Sequence, residues 1–163
     1  MYRVVILVAS DSGYEGKRKD ASGPYLEQLM KESGYIVKEV VVLPDEEAVL
    51  AQAMRDIADE DRADLILTSG GTGLSLRDRT PEATLQVIDR QVAGIPEAMR
   101  AYSMQFTKRA MFSRGIAGTR KQTLIINLPG SPKAVAECME AILSQLDHAL
   151  GILRGSVTEC ART

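Results

Sequence analysis

Residues 64–73 have the sequence Asp-Leu-Ile-Leu-Thr-Ser-Gly-Gly-Thr-Gly, an apolar run that passes directly into a glycine-rich turn. A short and nearly unbroken apolar run is typical of a strand buried on both faces, as strands of parallel sheets are. The helix start Thr80-Pro81-Glu82 follows, with Thr80 as the expected N-cap and Pro81 in the first turn. The stretch therefore predicts a strand, a loop and a helix in succession, the repeating unit of α/β proteins.

Strands and helices alternate along the rest of the chain. Apolar runs predict strands over residues 3–9, 35–43, 64–69 and 123–128. Helix starts are expected at Gly23-Pro24, at Glu46 with Asp45 as its cap, at Thr80 and at Ile95-Pro96-Glu97, and a last helix is expected over 132–153. The segment 108–120 is predicted to be irregular. This order predicts an α/β fold in three layers, with a mostly parallel central sheet and helices on both faces.

The length of 163 residues indicates one domain, which we place at residues 1–155, followed by a short mobile tail at 156–163. Hydrophobic residues make up 45% of the chain and charged residues 26%, as is usual for globular proteins, so a packed core is expected. The 20 basic and 22 acidic side chains give a net charge of -2, which argues against a nucleic-acid-binding protein.

Several classes of site and location are excluded by what the sequence lacks. One histidine and two cysteines, without a CxxC pair, argue against a zinc or multi-histidine site and against a disulfide framework. No apolar stretch approaches the ~18 residues of a membrane span, and the run Val4–Ala9 is too short for a secretion signal. We therefore expect a cytoplasmic protein that has no membrane partner.

Four polar loops follow predicted strands, and they are the places where chemistry is expected. In an open α/β sheet, ligands bind outside the carboxyl ends of the strands. The loops begin at Ser10-Asp11-Ser12, Pro44-Asp45, Ser69-Gly70-Gly71-Thr72-Gly73 and Asn127-Leu128-Pro129-Gly130-Ser131. We expect these loops to converge on one binding site.

The glycine-rich loop favours an anion site. Its glycines allow positive φ and a close approach of the backbone to a ligand, and successive N–H groups can surround a phosphate. The positive end of the helix that starts near Pro81 would face the same place. The alternative is that Gly70–Gly73 is only a tight turn between a strand and a helix. The loop matches neither the Walker phosphate loop nor the GxGxxG dinucleotide fingerprint.

Asp45 and Asp78 each lie in a loop after a strand, on the predicted ligand edge. Two carboxylates that face bound phosphates suit Mg²⁺, which prefers oxygen ligands and bridges to phosphate. The alternatives are that Asp45 only caps a helix and that Asp78 is a solvated charge or a partner of a neighbouring arginine. Five basic residues could neutralise phosphates or could be ordinary surface charge: Arg77, Arg79, Arg114, Arg120 and Lys121.

A longer pattern around the glycine-rich loop resembles a known family. Thr68-Ser-Gly-Gly-Thr-Gly73, four further residues and Asp78-Arg-Thr-Pro-Glu-Ala-Thr84 closely resemble the hallmark of the MogA/MoaB family of molybdenum cofactor biosynthesis proteins, to which the G domain of gephyrin belongs. Three other segments match: Ser10-Asp11-Ser12, Ser113-Arg114 and Thr123-Leu-Ile-Ile-Asn-Leu-Pro-Gly130. The resemblance covers nearly the whole chain.

This resemblance implies a molybdopterin-binding-like fold and a nucleotidyltransferase that adenylylates molybdopterin with ATP and releases pyrophosphate. It implies Mg²⁺ as cofactor, ATP and molybdopterin as substrates, and catalytic and magnesium-binding roles for Asp45 and Asp78. The residues expected to bind substrate or nucleotide are Ser10, Asp11, Ser12, Ser69, Gly70, Gly71, Thr72, Gly73, Thr80, Pro81, Glu82, Ser113, Arg114, Asn127, Pro129, Gly130 and Ser131.

The family also leaves one alternative open and implies partners. The alternative is a MoaB-like protein that binds molybdopterin or a nucleotide without adenylyl transfer. Family members are trimers or hexamers, so the resemblance implies a homo-oligomer. The molybdate-inserting enzyme of the pathway is the macromolecular partner that it suggests.

Overall fold

A computed structural model describes residues 1–156 and shows a six-stranded sheet with helices on both faces. The strands are β1 (Arg3–Ala9), β2 (Ile36–Leu43), β3 (Leu65–Ser69), β4 (Arg90–Gln91), β5 (Ala117–Arg120) and β6 (Thr123–Leu128). The helices are α1 (Asp11–Tyr14), α2 (Ser22–Glu32), α3 (Glu47–Asp59), α4 (Thr80–Leu85), α5 (Gly94–Ser103) and α6 (Pro132–Leu153), and a 3-10 turn spans Lys108–Phe112. The three-layer α/β fold expected from the sequence is confirmed.

The strands follow the spatial order β2-β1-β3-β6-β5-β4. The first four are parallel, with Val4 opposite Leu65 and Leu65 opposite Leu124, whereas β5 and β4 are antiparallel. The mostly parallel sheet is therefore confirmed. Because parallel strands share a direction, the loops after β1, β2, β3 and β6 all lie at one edge of the sheet.

The prediction that residues 108–120 are irregular is wrong for the last four of them. Ala117–Arg120 forms β5, which continues through Lys121 and Gln122 into β6 as an antiparallel hairpin. A four-residue strand that contains glycine is too short to show a period. The polar loop predicted to begin at Ser10-Asp11-Ser12 includes the single helical turn α1.

Two apolar clusters fill the space between the sheet and its helices. Val4 and Ile6 of β1 face α2, α5 and α6, whereas Val5 and Leu7 face α3 and α4. Successive side chains of a strand point to opposite faces, so a strand covered on both sides must be apolar throughout. This burial explains the unbroken apolar runs. Each fully buried aliphatic side chain contributes roughly 1.5–3 kcal/mol.

The helix caps expected at Asp45 and Thr80 are wrong. Glu46 precedes α3 without capping it by a side-chain hydrogen bond, and Arg79 precedes α4 in the same way. Thr80 lies inside α4, where its hydroxyl donates to the carbonyl of Gly70 at 2.9 Å. The polar groups of Asp45 and Thr80 are instead used to join loops at the carboxyl edge of the sheet.

The C-terminal end of the described chain folds back on α6. The N–H of Ser156 donates to the carbonyl of Gly151 at 2.8 Å. The rest of the predicted tail, residues 157–163, lies outside the described residues, and the domain boundary at 155 stays a prediction. Within residues 1–156, no helix is long and apolar enough to cross a membrane.

Candidate active site

Two adjoining clefts open at the carboxyl ends of the parallel strands. The first, which we name the apolar cleft, has a volume of about 440 Å³ and lies against α5, the 3-10 turn and the start of α6. The second, the polar cleft, has a volume of about 490 Å³ and lies along the loops after β1 and β2. The two clefts share Gly70, Gly71, Asp78, Gly130 and Ser131.

The glycine turn lies at the junction of the clefts, and glycine is required there by geometry. Gly70 and Gly71 have φ of 94° and 68°, in the region that side chains disfavour. A Cβ on Gly70 would lie 2.4 Å from the carbonyl oxygen of Ala9, and one on Gly71 would lie 2.2 Å from Thr80 Oγ1. The turn is therefore packed tightly against β1 and α4.

Asp45 and Asp11 hold each other through reciprocal hydrogen bonds. The N–H of Asp11 donates to Asp45 Oδ2 at 2.9 Å, and the N–H of Asp45 donates to Asp11 Oδ1 at 2.9 Å. The other oxygen of Asp45, Oδ1, faces the glycine turn, because a Cβ on Gly71 would lie 3.3 Å from it. Burial, together with the negative charges of Asp11 and Asp78, raises the pKa of Asp45.

Asp78 is held in the same manner. Its Oδ2 accepts the N–H of Ser75 at 2.9 Å and lies beside Gly73, where a Cβ would approach to 2.9 Å. Among residues 1–156, Oδ1 of Asp78 and Oδ1 of Asp45 accept no hydrogen bond. Each of the two carboxylates thus has one oxygen fixed by a backbone N–H and one oxygen free for a ligand.

The pair of aspartates fits a magnesium ion that shares its ligands with phosphate. Magnesium is commonly bound by one or two carboxylates plus substrate phosphates and water. Burial and the like charges of Asp11 and Asp78 raise the pKa of Asp45, as expected of a carboxylate that lies close to others. Within the described part of the chain, no group of three or more His, Cys, Asp or Glu residues could hold a metal by itself. A cation here would therefore need oxygens from a bound ligand.

The basic residues of the clefts are not those singled out from the sequence. Arg18 and Lys19 line the polar cleft, and Arg100 and Arg109 line the apolar cleft. Among residues 1–156 these four form no ion pair within 4.0 Å. Arg18 and Lys19 lie in a loop, Arg109 lies in the 3-10 turn and Arg100 lies on α5. These positions share no sequence pattern, since only the fold brings them to the cleft walls.

The arginines and lysine proposed to neutralise phosphate are instead paired with carboxylates. Arg77 binds Asp11 and Glu46, and Arg79 binds Glu47. Arg120 and Lys121 bind Asp59 and line neither cleft. The alternative of ordinary surface charge holds for Arg120 and Lys121.

The structure brings most of the predicted site residues together. Those that line one or both clefts are Ser10, Asp11, Ser12, Asp45, Ser69, Gly70, Gly71, Thr72, Gly73, Asp78, Ser113, Pro129, Gly130 and Ser131. Those that line neither cleft are Thr80, Pro81, Glu82, Arg114 and Asn127. The expected convergence of the four loops is confirmed by this geometry.

Asn127 lies behind the loops and uses its whole side-chain amide within the protein. It is 1% exposed. Its Nδ2 donates to Thr68 Oγ1 at 3.0 Å and to Thr84 Oγ1 at 2.9 Å, and its Oδ1 accepts the N–H of Ile116 at 3.2 Å. This network joins β3, α4 and β6 beneath the glycine turn, so Asn127 supports the site without facing either cleft.

Arg114 closes the glycine-rich loop from the outside. Its Nε donates to the carbonyl of Gly73 at 2.8 Å, and its Nη2 donates to the carbonyl of Asp78 at 2.6 Å. Its third contact is an ion pair with Glu82. The guanidinium therefore binds the backbone at both ends of the segment 73–78 and fixes where Asp78 lies.

The parallel strands that end at a glycine turn, the two clefts and the carboxylate pair define an α/β protein with its candidate site at the carboxyl edge of the sheet. Residues 5–148 match the family described as a probable molybdopterin binding domain, and the chain belongs to this family. Family membership was expected from the string around the glycine turn, and that expectation is confirmed.

Proteins of similar length share much of the sequence. The molybdopterin adenylyltransferase of Helicobacter pylori J99 is 36% identical over 155 residues, which cover 93% of this chain and 87% of that protein. The enzyme of the same name from Escherichia coli K12 is 39% identical over 142 residues, which cover 86% and 73%. The chain is thus a homologue of molybdopterin adenylyltransferases, which confirms the enzyme class expected from the sequence.

The chain is also similar to part of a longer protein and to a solved structure. The molybdenum cofactor synthesis protein cinnamon of Drosophila melanogaster is 38% identical over 160 residues, and the chain spans 26% of its length. The crystal structure of the molybdopterin biosynthesis enzyme MoaB from Thermus thermophilus superposes with a TM-score of 0.90 at 45% identity, covering 95% of this chain and 98% of that one.

Proposed function

We propose that this protein is a molybdopterin adenylyltransferase, which transfers the adenylyl group of ATP to molybdopterin in molybdenum cofactor biosynthesis. The observation that carries the proposal is the junction of the two clefts. Both clefts include the turn Gly70–Gly71, Asp78 and Gly130–Ser131. Two ligands, one in each cleft, would therefore present their reactive ends at the same carboxylate. The names of the bacterial homologues support this assignment.

The reaction needs no strong base from the protein. An oxygen of the terminal phosphate of molybdopterin attacks the α-phosphorus of ATP and forms a new P–O bond. The bond from that phosphorus to the α–β bridging oxygen breaks, and pyrophosphate leaves with the electron pair. The attacking phosphate is already anionic at neutral pH. Such transfers depend mainly on positioning and on neutralisation of charge.

The chain's own groups supply positioning and charge. The N–H of Gly71 and the side chains of Arg18, Lys19 and Arg109 are available to anionic groups in the clefts, whereas the N–H of Gly70 donates to the carbonyl of Leu128. Arg100 also lines the apolar cleft, but its Nη1 donates to the carbonyls of Ser113 and Gly115. The free Oδ1 atoms of Asp45 and Asp78 would hold a magnesium ion that accompanies ATP. When bound, that ion neutralises charge on the phosphates.

A single-turnover assay tests the proposal. Wild type mixed with molybdopterin and Mg·ATP should form adenylyl-molybdopterin and pyrophosphate in equal amounts, whereas Asp78→Asn should be at least about 100-fold slower. Asp56→Asn, on the surface of α3 and outside both clefts, is the matched control and should react like wild type. Equal rates for wild type and Asp78→Asn would overturn the role of Asp78.

The second candidate function is the MoaB-like alternative, and the chain is 45% identical to a solved structure named molybdopterin biosynthesis enzyme MoaB, from Thermus thermophilus. A MoaB-like protein would bind molybdopterin or a nucleotide without transferring the adenylyl group. Tight binding of molybdopterin with no product from wild type would reject adenylyl transfer in favour of this function.

We also propose a homo-oligomer, a trimer or hexamer, that works in the cytoplasm and passes its product to a molybdate-inserting enzyme. Phe112 lines the apolar cleft and is exposed, and Phe106 and Met111, which adjoin cleft residues in the chain, are exposed as well. Exposed apolar groups of this kind often mark contact surfaces. Light scattering of the purified protein would give the oligomeric state, and a monomer would overturn the proposal.

A further inference from the structure

Arg77 joins three acidic loops at the polar cleft. Its Nε donates to Asp11 Oδ2 at 3.0 Å, and its Nη2 donates to Asp11 Oδ1 at 3.0 Å and to Glu46 Oε1 at 2.9 Å. Arg77 precedes Asp78 in the chain, and Glu46 follows Asp45. The guanidinium thus connects the segment that carries one candidate catalytic aspartate to the segments that hold the other.

Asp11 links Arg77 directly to Asp45, with no other residue between them. Asp11 Oδ1, which accepts from Arg77, also accepts the N–H of Asp45, while the N–H of Asp11 donates to Asp45 Oδ2. The Asp11 carboxylate is therefore held from two sides, and it fixes the backbone at Asp45. With this ring of hydrogen bonds closed, Asp45 Oδ1 faces the glycine turn.

Nε and Nη2 of Arg77 are used in these contacts, and Nη1 is the one guanidinium nitrogen with no partner among residues 1–156. A bidentate arginine–carboxylate pair has a fixed planar geometry. Exposed ion pairs of single charges contribute little to stability, but bidentate pairs in a network are the exception. The side chains of Arg77 and Asp11 are 53% and 36% exposed, which limits what the pair adds to stability, whereas its bidentate geometry fixes the orientation of the Asp11 carboxylate.

We propose that Arg77 is a positioning residue for adenylyl transfer, which acts through Asp11 to fix the orientation of Asp45 relative to Asp78. The proposal rests on the proposed function. It differs from the idea that Arg77 neutralises phosphate, because it assigns the effect of Arg77 to the Asp11 carboxylate and not to a substrate.

Arg79 is the matched control, because it lies on the same loop with the same charge and similar exposure. It pairs with Glu47 at 2.8 Å, outside the hydrogen-bond ring of Asp11 and Asp45. We expect Arg77→Met to lower kcat roughly 10- to 100-fold with KM for ATP changed less than about threefold, the pattern of lost positioning. Arg79→Met should stay within about twofold of wild type, and both variants should keep the melting temperature within about 2 °C.

A double-mutant cycle separates positioning from phosphate binding. In an Asp11→Ala background, Arg77→Met should change kcat by less than about twofold, because the residue that transmits its effect is gone. A KM for ATP that rises tenfold in Arg77→Met alone would show direct contact with substrate and overturn the proposal. A tenfold loss that persists in the Asp11→Ala background would also overturn it, because the effect would then travel by a route other than Asp11, such as the contact with Glu46.

Amide hydrogen exchange tests the same relationship without turnover. The N–H groups of Asp11 and Asp45 each donate to the other residue's carboxylate. Both should exchange at least about tenfold faster in Arg77→Met than in Arg79→Met or wild type. Unchanged exchange would overturn the positioning role. Because exchange does not depend on turnover, faster exchange in Arg77→Met beside a wild type that makes no adenylyl-molybdopterin would reject the proposed function and leave the contact through Asp11 in place.

Discussion

Asp11 and Asp45 exchange hydrogen bonds, since the backbone N–H of each donates to the carboxylate of the other at 2.9 Å. The two residues follow β1 and β2, which are neighbours in the sheet, so the exchange fixes two loops at once. It also keeps two carboxylates close together beside Asp78. Arg77 pairs with Asp11, whereas Asp45 forms no ion pair among the described residues.

The repulsion at Asp45 leads to a prediction about stability. Burial and the charges of Asp11 and Asp78 raise the pKa of Asp45. Asp45→Asn keeps the acceptor for the N–H of Asp11 but removes the charge. It should stabilise the fold at pH 7 by roughly 0.5–2 kcal/mol, as relief of an unfavourable active-site residue commonly does. Adenylyl transfer should fall at least about 100-fold in the same variant.

The gain in stability from Asp45→Asn should depend on pH in a defined direction. The folded protein holds the Asp45 proton more tightly than the unfolded chain, whose carboxyl has the ordinary pKa of 3.8. Ionised Asp45 therefore costs stability above its folded pKa, and the cost disappears below 3.8. Thermal unfolding should show Asp45→Asn above wild type at pH 7 and equal to it near pH 3. A variant less stable than wild type at pH 7 would contradict this account.

The glycine turn provides a second prediction through a matched pair of glycines. Gly71 and Gly16 have nearly the same backbone, with φ of 68° and 72°. A Cβ on Gly71 would meet Thr80 Oγ1 at 2.2 Å, whereas a Cβ on Gly16 would meet nothing within 4 Å. Gly16→Ala should cost about 1–2 kcal/mol from the left-handed backbone alone. Gly71→Ala should cost roughly 1–3 kcal/mol more, because the buried neighbour must move.

Activity should separate the two variants further. The same Cβ on Gly71 would lie 3.3 Å from Asp45 Oδ1, the oxygen left free for a ligand. We expect kcat to fall at least about tenfold in Gly71→Ala and to stay within about twofold in Gly16→Ala. Chemical denaturation and single-turnover rates of both variants provide the check. Equal stabilities would mean that the turn is less tightly packed than the geometry indicates.

The parallel part of the fold could be predicted because strands buried on both faces have unbroken apolar runs in the sequence. Both faces of β1 are covered, so Val4 and Val5 are equally buried and the run has no polar break. The strands β4 and β5 left no such signature. A strand of two residues, Arg90–Gln91, cannot show a period. The glycine in β5 is explained by its neighbour, since a Cβ on Gly118 would lie 2.6 Å from the carbonyl of Arg90.

The candidate site also has a part that could be predicted from the sequence and a part that could not. Loops at the carboxyl ends of strands converge for topological reasons, so Ser10, Asp45 and the glycine turn could be placed together from sequence. The partners of charged residues could not, because they are distant in the chain and often backbone atoms. Arg114 binds the carbonyls of Gly73 and Asp78, which are separated from it by 41 and 36 positions. No pattern of residue types in the sequence shows which backbone carbonyls a distant arginine will bind.

Arg114 and Glu82 yield a third prediction, because the structure pairs them outside both clefts. Glu82→Gln keeps an acceptor for Arg114 and should leave KM for ATP within about twofold of wild type. Arg114→Lys cannot reach both carbonyls and the carboxylate at once, so kcat should fall roughly tenfold or more as Asp78 shifts. Steady-state kinetics of the two variants provide the test. A tenfold rise of KM for ATP in Glu82→Gln would place Glu82 at the substrate.

The pair of Arg114 and Glu82 should also affect how the free energy of unfolding depends on pH in acid. Burial opposes ionisation of Glu82, but the hydrogen bond and charge of Arg114 hold its pKa below the ordinary value of 4.5. A lowered pKa contributes stability that is fully present above 4.5 and is lost as the pH falls through the folded value. Unfolding free energies between pH 3 and pH 6 should therefore fall less steeply in Glu82→Gln than in wild type. Parallel curves would show that the pair adds nothing.

Asn127 supplies the fourth prediction, and it separates support from substrate contact. Asn127→Ala removes the donors to Thr68 and Thr84 and leaves the N–H of Ile116 without its acceptor. The cost should be roughly 2–4 kcal/mol, since buried polar groups lose their partners. Ser113→Ala, at the wall of the apolar cleft, should show the opposite pattern, with stability nearly unchanged and a higher KM for one substrate. Stability near wild type with a raised KM in Asn127→Ala would instead make Asn127 a substrate ligand.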